Sequence, residues 1–386
     1  MWDCESNKSL GPDDFNFSFI KKFWGSIKGD IMQAINSFYS TSKWPKGCNV
    51  SFIALVPKCN NPQGLYQYRP ISPIGCIYKI ISKSLYLRLK SVLHKVIDQT
   101  QSAFLEGRGL LDSFVVANET IDEVKREKKK CIKVKVDYEK AYDSIRWDFL
   151  FYMMERLGFC IRWINWIEEC LKSSTISVLV NGNPIHEFNP TKGLRQGDPL
   201  APFLYLITAE GLASMVRQAV KKKLFQGIKV GTKEIEVNML QYVDDTLFLC
   251  EANTQNILGI KCILRCFELA VGLTVNFIKR EIGGLKVEEG IIQRYSEILN
   301  CDVMHLPFIY LGMPISGISR RFVLWREVVD KIKKRLARWK EKYLFFAGKV
   351  CMLKSVITAL PLYYMSFFKM PASVQVEIKK IQKEFL

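Results

Sequence analysis

The chain has 386 residues, 48% of them hydrophobic, enough for one large lobed domain or two to three smaller ones. Its 56 Lys and Arg outweigh 38 Asp and Glu to leave a net charge of +18, which calls for a polyanionic partner, a nucleic acid or an anionic membrane surface. Twelve cysteines without paired spacing, and three histidines (His94, His186, His305) far from one another and from Cys262 and Cys266, argue against a disulfide framework and a zinc site.

The first residues, Met1-Trp2-Asp3-Cys4-Glu5, lack a signal-peptide pattern, so reduced thiols in a nuclear or cytoplasmic protein are expected. Residues 15–39 place Phe19, Phe23, Ile27, Ile31 and Ile35 at near-helical spacing and predict one amphipathic helix or two. A short strand is expected over 51–58, and a helix over 78–97 with lysines around an apolar stripe. Ile132, Val134 and Val136 alternate with Lys133 and Lys135, the mark of a half-buried strand with at least one lysine toward solvent. Asp137 ends that strand and either caps the next helix or serves a site. A helical period over 139–157 comes next. The loop Gly193-Leu194-Arg195-Gln196-Gly197-Asp198-Pro199-Leu200 then opens a long apolar helix to about residue 220, its N–H groups suited to a polar or anionic ligand.

Tyr242-Val243-Asp244-Asp245 lies between two apolar runs and predicts a strand-turn-strand with adjacent carboxylates at its tip. Neighbouring strand residues face opposite ways, so a tight turn is needed to aim both acids at one place. Such close like charges repel unless a cation neutralises them, although an Asp-Asp surface turn has the same local sequence. Farther on, residues 320–342 hold ten Lys and Arg against three acids, a net +7, with Phe322, Trp325, Val329, Ile332, Leu336 and Trp339 every three to four positions. That is a basic amphipathic helix able to face a phosphate backbone, although an ordinary solvated helix face is often as rich in lysine. No membrane span of about 18–20 residues is expected: residues 356–368 are short and cut by Pro361, and residues 200–216 contain Glu210.

Asp137, Asp244 and Asp245 therefore stand out as one candidate set. Hard divalent ions take carboxylate and phosphate oxygens, and two of them about 3.5–4 Å apart can activate a hydroxyl and stabilise leaving pyrophosphate. The block order resembles the reverse transcriptase of plant-type non-LTR (LINE-like) retrotransposons over nearly the whole chain. The blocks are Lys8-Ser9-Leu10-Gly11-Pro12-Asp13-Asp14, Leu55-Val56-Pro57-Lys58, Tyr68-Arg69-Pro70-Ile71-Ser72 and Gln101-Ser102-Ala103-Phe104 with Gly107-Arg108. Then come Asp137-Tyr138-Glu139-Lys140-Ala141-Tyr142-Asp143, the 193–200 loop, Tyr242-Val243-Asp244-Asp245, and Gly272-Leu273-Thr274-Val275-Asn276 with Lys279. Tyr310-Leu311-Gly312-Met313-Pro314, Ser355-Val356 and Leu360-Pro361-Leu362-Tyr363 complete the series. Departures from the family pattern include Asp14, Pro73, Ala201, Arg280, Phe345 and Lys349; none touches the three acids.

The resemblance implies an α+β right-hand polymerase fold: fingers and palm over residues 1–315, with an N-terminal helical segment to about residue 48, and a partial helical thumb over 316–386. It implies an RNA-directed DNA polymerase that adds dNTPs to a primer 3′-hydroxyl on an RNA template, using Mg²⁺ or Mn²⁺. Asp137, Asp244 and Asp245 are the implied catalytic carboxylates and metal ligands, joined by the Tyr138 carbonyl. Lys279 is the implied general acid at pyrophosphate, and Tyr142 the residue that rejects a ribose 2′-hydroxyl. Gln196 and Gly197 would line the nucleotide pocket, and Lys58 and Arg69 would grip the triphosphate. Tyr310 and Gly312 of a primer-gripping hairpin, with Arg335 and Arg338 of the thumb helix, would contact nucleic acid. Asp143 is expected to cap or pair locally. The blocks for an endonuclease or RNase H are not in this sequence, so a fragment or relic is also expected, and the second reading is an inactive, maturase-like RNA-binding protein.

Overall fold

The computed structural model describes every residue except 1, 3–4, 7–9, 46, 277–278, 316–321 and 341–343, and only the backbone at 322–324 and 338–340. Lys8, Ser9 and both ends of the expected 320–342 helix thus lie outside the described residues. The chain divides into two compact units: Met1–Gly109 with Lys130–Val303, and Leu110–Lys129 with Met304–Leu386. The second unit begins at Met304, ahead of the thumb expected from residue 316, and takes in the earlier stretch Leu110–Lys129 as well.

The first unit opens with α1 (Phe17–Lys22) and α2 (Trp24–Thr41). The side chain of Asn16 caps α1 by accepting the Phe19 N–H at 3.0 Å. Phe17, Ile20, Ile31 and Phe38 form the buried stripe, while Phe19 and Phe23 stay exposed, Phe19 stacked on Phe15 and tilted against Phe23. After them come β1 (Val50–Pro57), β2 (Tyr68–Ile71) and α3 (Cys76–Val96), then α4 (Leu110–Arg126) of the second unit. Next are β3 (Cys131–Val136), β4 (Tyr138–Glu139), α5 (Ala141–Ser144), α6 (Trp147–Arg156), α7 (Ile161–Lys172), β5 (Thr175–Val180) and β6 (Asn183–Pro184). The helix expected over 139–157 is broken. Lys140 takes a left-handed φ of 44°, and the Arg146 N–H donates to the Val271 carbonyl at 2.8 Å, outside any helix.

The rest of the first unit is α8 (Ala201–Lys221), β7 (Ile228–Val230), β8 (Ile235–Val237), β9 (Met239–Tyr242), β10 (Asp245–Glu251), α9 (Thr254–Val271), β11 (Thr274–Val275), β12 (Glu281–Leu285), α10 (Glu289–Leu299) and β13 (Asp302–Val303). Two sheets matter for the site. One has the order β2-β1-β5-β6; the other, the palm sheet, has the order β13-β12-β3-β10-β9. The central strand β3 runs antiparallel to both β10 and β12. Being central, β3 is covered nearly throughout: Lys133 is 1% exposed and Lys135 half-buried, so neither lysine is turned fully to solvent as the alternation suggested. A large apolar core joins α3, α6, α7, α8 and α9 to the palm sheet through residues such as Leu85, Ile167, Leu206, Leu212, Phe248 and Phe267. Fully burying each aliphatic side chain of this kind stabilises the fold by about 1.5–3 kcal/mol.

The second unit contains the hairpin β14 (Phe308–Tyr310) and β15 (Met313–Ile315), then α11 (Phe322–Lys340), α12 (Phe346–Met352), α13 (Leu362–Met365) and α14 (Ala372–Phe385). Leu311 and Gly312 both have positive φ (50° and 76°), the requirement of a two-residue hairpin turn, and the Tyr363 hydroxyl donates to the Leu311 carbonyl. As the spacing predicted, α11 buries Trp325, Val329, Ile332 and Leu336. Lys333 of α11 pairs with Glu377 of α14 at 2.7 Å. The helical run Phe346–Met365 is 20 residues long and, by length and composition, apolar enough to cross a membrane. The apolar stretch starts earlier than the expected 356–368, so the shortness expected of it does not hold.

Candidate active site

The strands β9 and β10 meet in a two-residue turn, Val243-Asp244, closed by the pair Tyr242 and Asp245. In the β10–β3 ladder Thr246 faces Val136, so one step on, Asp245 comes level with Asp137. This register brings the strand-end acid and the turn acids to one edge of the palm sheet. A second device holds Asp137. β4 pairs with β11, and the Asn276 N–H donates to the Asp137 carbonyl at 2.9 Å. From there the chain carries Lys279 back, and its ammonium lies 2.5 Å from the Asp137 carboxylate.

Burial pushes the Asp244 carboxyl up to about 6, reinforced by the charges of Asp245 and Asp137 and opposed by Lys279. Asp245 is raised chiefly by burial and then by Asp137, with Lys135 and Lys279 opposing. Lys279 is raised, foremost by its hydrogen bond to Asp137. Hard carboxylate oxygens gathered at one edge, with Asp244 and Asp245 both raised by burial and by neighbouring negative charge, suit a divalent cation. As the side chains stand, no trio of His, Cys, Asp or Glu among the described residues closes around a metal ion. A hard ion that draws only one or two ligands from protein and the rest from phosphate and water needs no such closed cage.

Tyr142 packs on Tyr205 with ring centroids 5.2 Å apart and planes within 23°. Its hydroxyl is pushed up to about 12 by burial and then by the Asp244 charge, which sets it beside the carboxylates. The 193–200 loop is bound to this region by its backbone. Gly193 (φ 86°) donates to the Ile145 carbonyl at 2.8 Å and accepts from the Trp147 indole at 2.7 Å, and Leu194 donates to the Tyr142 carbonyl at 2.7 Å. A Cβ on Gly193 would stand 2.6 Å from the Asp143 carbonyl oxygen. On the other side Ser72 donates to the Gln196 carbonyl at 2.7 Å, and Gly197 (φ 109°) leaves room for the Ser72 carbonyl.

The Gln196 amide donates to Asp143 at 3.4 Å, so Asp143 does pair locally, with a residue of the expected nucleotide pocket. Burial raises the Asp143 carboxyl, while Gln196, Lys140 and Lys58 oppose, which brings Lys58 within electrostatic reach. Lys58 itself donates to the Tyr66 carbonyl at 2.9 Å, and Arg69 is exposed on β2. Sequence reasoning missed the buried set beneath the loop. Arg195 donates to Asn49 (2.7 Å) and Asp198 (3.2 Å) and lies 4.3 Å from the Tyr78 ring centroid, and Tyr78 donates to Asp198 at 2.7 Å. Arg195 and Asp198, three apart in a loop, were the only signal available. Tyr138 is buried, with its hydroxyl well above its ordinary value through burial, and its backbone lies in the β4–β11 ladder.

The remaining expected contacts lie in the second unit. Tyr310 is fully buried, so its ring is unavailable to nucleic acid; Ile309 is the hairpin residue that faces out. Gly312 is at the hairpin turn and Arg335 is exposed on α11, while the Arg338 side chain lies outside the described residues.

A palm sheet that presents one carboxylate at a strand end and two at an adjacent hairpin defines a right-hand nucleotidyl-transfer fold. Residues 56–315 match the family described as reverse transcriptase (RNA-dependent DNA polymerase), and the chain belongs to that family. It is 24% identical over 389 residues to the "Transposon TX1 uncharacterized 149 kDa protein" of Xenopus laevis, covering 98% of this chain and 28% of that protein. It is 22% identical over 323 residues to the Pol polyprotein from the type-2 retrotransposable element R2DM of Drosophila melanogaster, covering 83% of this chain and 28% of that one. The resemblance to a non-LTR element polymerase thus agrees with its relatives, although the chain spans only 28% of the length of either. A telomerase from Candida tropicalis, solved with a TWJ fragment of telomeric RNA, aligns with a TM-score of 0.49 and 14% identity over 96% of this chain and 59% of its own.

Proposed function

We propose that this chain is the polymerase segment of a non-LTR retrotransposon protein and extends a DNA primer with dNTPs on an RNA template. The observation that carries this is the convergence of Asp137, Asp244 and Asp245 at one edge of the palm sheet, with Lys279 against Asp137. Asp137 and Asp244, with Asp245 and the Tyr138 carbonyl, would hold Mg²⁺ or Mn²⁺. Such an ion neutralises triphosphate charge and makes a primer hydroxyl easier to deprotonate.

The chain's own residues do the positioning. Lys58 and Arg69 bind triphosphate oxygens, and Gln196, steadied by Asp143, borders the incoming nucleotide. Tyr142, backed by Tyr205, supports the sugar and leaves no room for a 2′-hydroxyl. The primer 3′-hydroxyl gives up its proton to solvent as its oxygen attacks the α-phosphorus, the bond from that phosphorus to the α–β bridging oxygen breaks, and Lys279 supplies a proton to the departing pyrophosphate. Most of the rate gain comes from orientation and from charge placed in advance. In the second unit, Arg335 and the other bases of α11 hold the duplex backbone. The reading includes a nuclear or cytoplasmic setting, supported by eleven free cysteines among the described residues.

Primer extension on poly(rA)/oligo(dT) with Mg²⁺ or Mn²⁺ tests it, against the double variant Asp244→Asn/Asp245→Asn. Incorporation by the chain and a loss of several orders of magnitude in the variant is the expected result. Template binding without incorporation by either would instead identify an RNA-binding relic and overturn the enzymatic reading.

A further inference from the structure

We infer that Gln101 is a positioning residue for the catalytic turn, a role that rests on the polymerase reading and deepens it. Gln101 is 1% exposed and lies beyond the end of α3. Its Oε1 accepts the Val243 N–H at 3.0 Å and the Ala103 N–H at 3.0 Å, and its Nε2 donates to the Val243 carbonyl at 3.3 Å. One amide side chain thus binds both backbone polar groups of the residue that precedes Asp244. The ladder cannot do this, because β9 and β10 close at Tyr242 and Asp245 and leave the two turn residues outside it.

Val243 needs such a hold. It is β-branched, and its φ is 55°, in the left-handed region that such side chains avoid. A conformation of this kind costs about 1–3 kcal/mol and persists only where its surroundings enforce it. The direction of the Asp244 carboxylate is set by that backbone angle. Without Gln101 the turn can relax toward negative φ and swing Asp244 away from Asp137.

Gln101 is itself fixed from behind. The Gln241 N–H donates to the Thr100 carbonyl at 2.8 Å and the Ser102 N–H to the Gln241 carbonyl at 3.1 Å, so this segment lies along the open edge of β9. The Arg108 guanidinium donates to the Gln101 carbonyl at 2.8 Å and also to the carbonyls of His94, Ile97 and Asp98. A rigid path therefore runs from the end of α3 through Arg108 and Gln101 to the turn. Gln101 is buried and its amide bonds the Val243 backbone, so it acts through Val243 and not on substrate.

Gln101→Met keeps the length of the side chain and removes both hydrogen-bonding ends. The expected result is a fall in kcat of about 10–100-fold, as for a small misplacement of a reacting group, with KM for dNTP and template affinity within about twofold. Amide hydrogen exchange at Val243 should quicken markedly while Phe248 and Leu249 of β10 keep their protection. Val243→Gly, added to Gln101→Met, should recover about tenfold in kcat, because glycine adopts positive φ without strain. Unchanged kcat and unchanged Val243 exchange would overturn the inference. So would a loss that spreads through β9 and β10 and is not recovered by glycine, since that marks general packing. If the unaltered chain incorporates no dNTP, the polymerase reading falls on its own, and Val243 exchange still decides whether Gln101 holds the turn. Should Gln101→Met not fold, Gln101→Glu keeps an acceptor for the Val243 N–H but exchanges the donor for a charge, so exchange at Val243, not kcat, carries the comparison, and unchanged exchange there overturns the inference.

Discussion

Asp244 is ionised at the expense of the fold. Its carboxyl is raised from 3.8 to about 6, so between those values the folded chain holds a proton that the unfolded chain releases. Stability from this group is therefore present below about pH 4, falls as pH rises through about 6, and is flat above. In EDTA, Asp244→Asn should be more stable than the unaltered chain by about 1–3 kcal/mol at pH 7.5 and equally stable at pH 3.5. Denaturant unfolding at the two pH values reads this; equal stability at both would mean Lys279 already compensates the charge. The same substitution should abolish incorporation, which sets activity against stability at one atom group. Asp244 and Asp245 alone read equally as a surface turn; the three aspartates were legible as a set only through the order of the surrounding blocks. The burial of Tyr310 was not legible, because nothing in Tyr-Leu-Gly-Met-Pro tells a buried ring from an exposed one.

Among the elements, the 193–200 loop joins two regions of the first unit, bonded to residues 142–147 on one side and to Ser72 on the other. At Gly193 there is no room for a side chain between the loop and the Asp143 backbone. Gly193→Ala would add a methyl 2.6 Å from the Asp143 carbonyl at a φ of 86°, so the loop must move. We expect a loss of about 2–4 kcal/mol in thermal or denaturant stability and a larger loss of incorporation than Gly290→Ala, where a Cβ meets nothing within 4 Å. Equal effects of the two would show that the loop adapts freely. Periodicity found most elements, including β3, α3 and α11, because an apolar stripe reports the face a chain buries. It failed over 139–157, where β4 and the break at Arg146 are imposed by β11 and Val271, more than a hundred residues away. It also failed for Lys133, because alternation does not say that a strand will be central and covered on both faces.

For the molecule as a whole, the net charge of +18 governs how it meets a polyanion. Each phosphate that a lysine or arginine neutralises releases a counterion, so affinity for poly(rA)/oligo(dT) should fall by about a hundredfold or more between 50 and 200 mM salt. A salt slope near zero, measured by fluorescence anisotropy, would remove the basic surface from the account of binding. The composition made this readable at once; the division of the chain was not, because it interrupts the first unit. The chain leaves that unit at Gly109, forms α4, and returns at Lys130. The buried face of α4 includes Phe114, whose ring lies edge-on to Phe367 at 4.6 Å. On a ribosome that emits a chain from its N-terminus, this greasy helix emerges more than two hundred residues ahead of the segment that shelters it. Until that segment follows, a nascent chain carries this face of α4 without its Phe367 contact, so a truncation anywhere between the two leaves Phe114 without that partner.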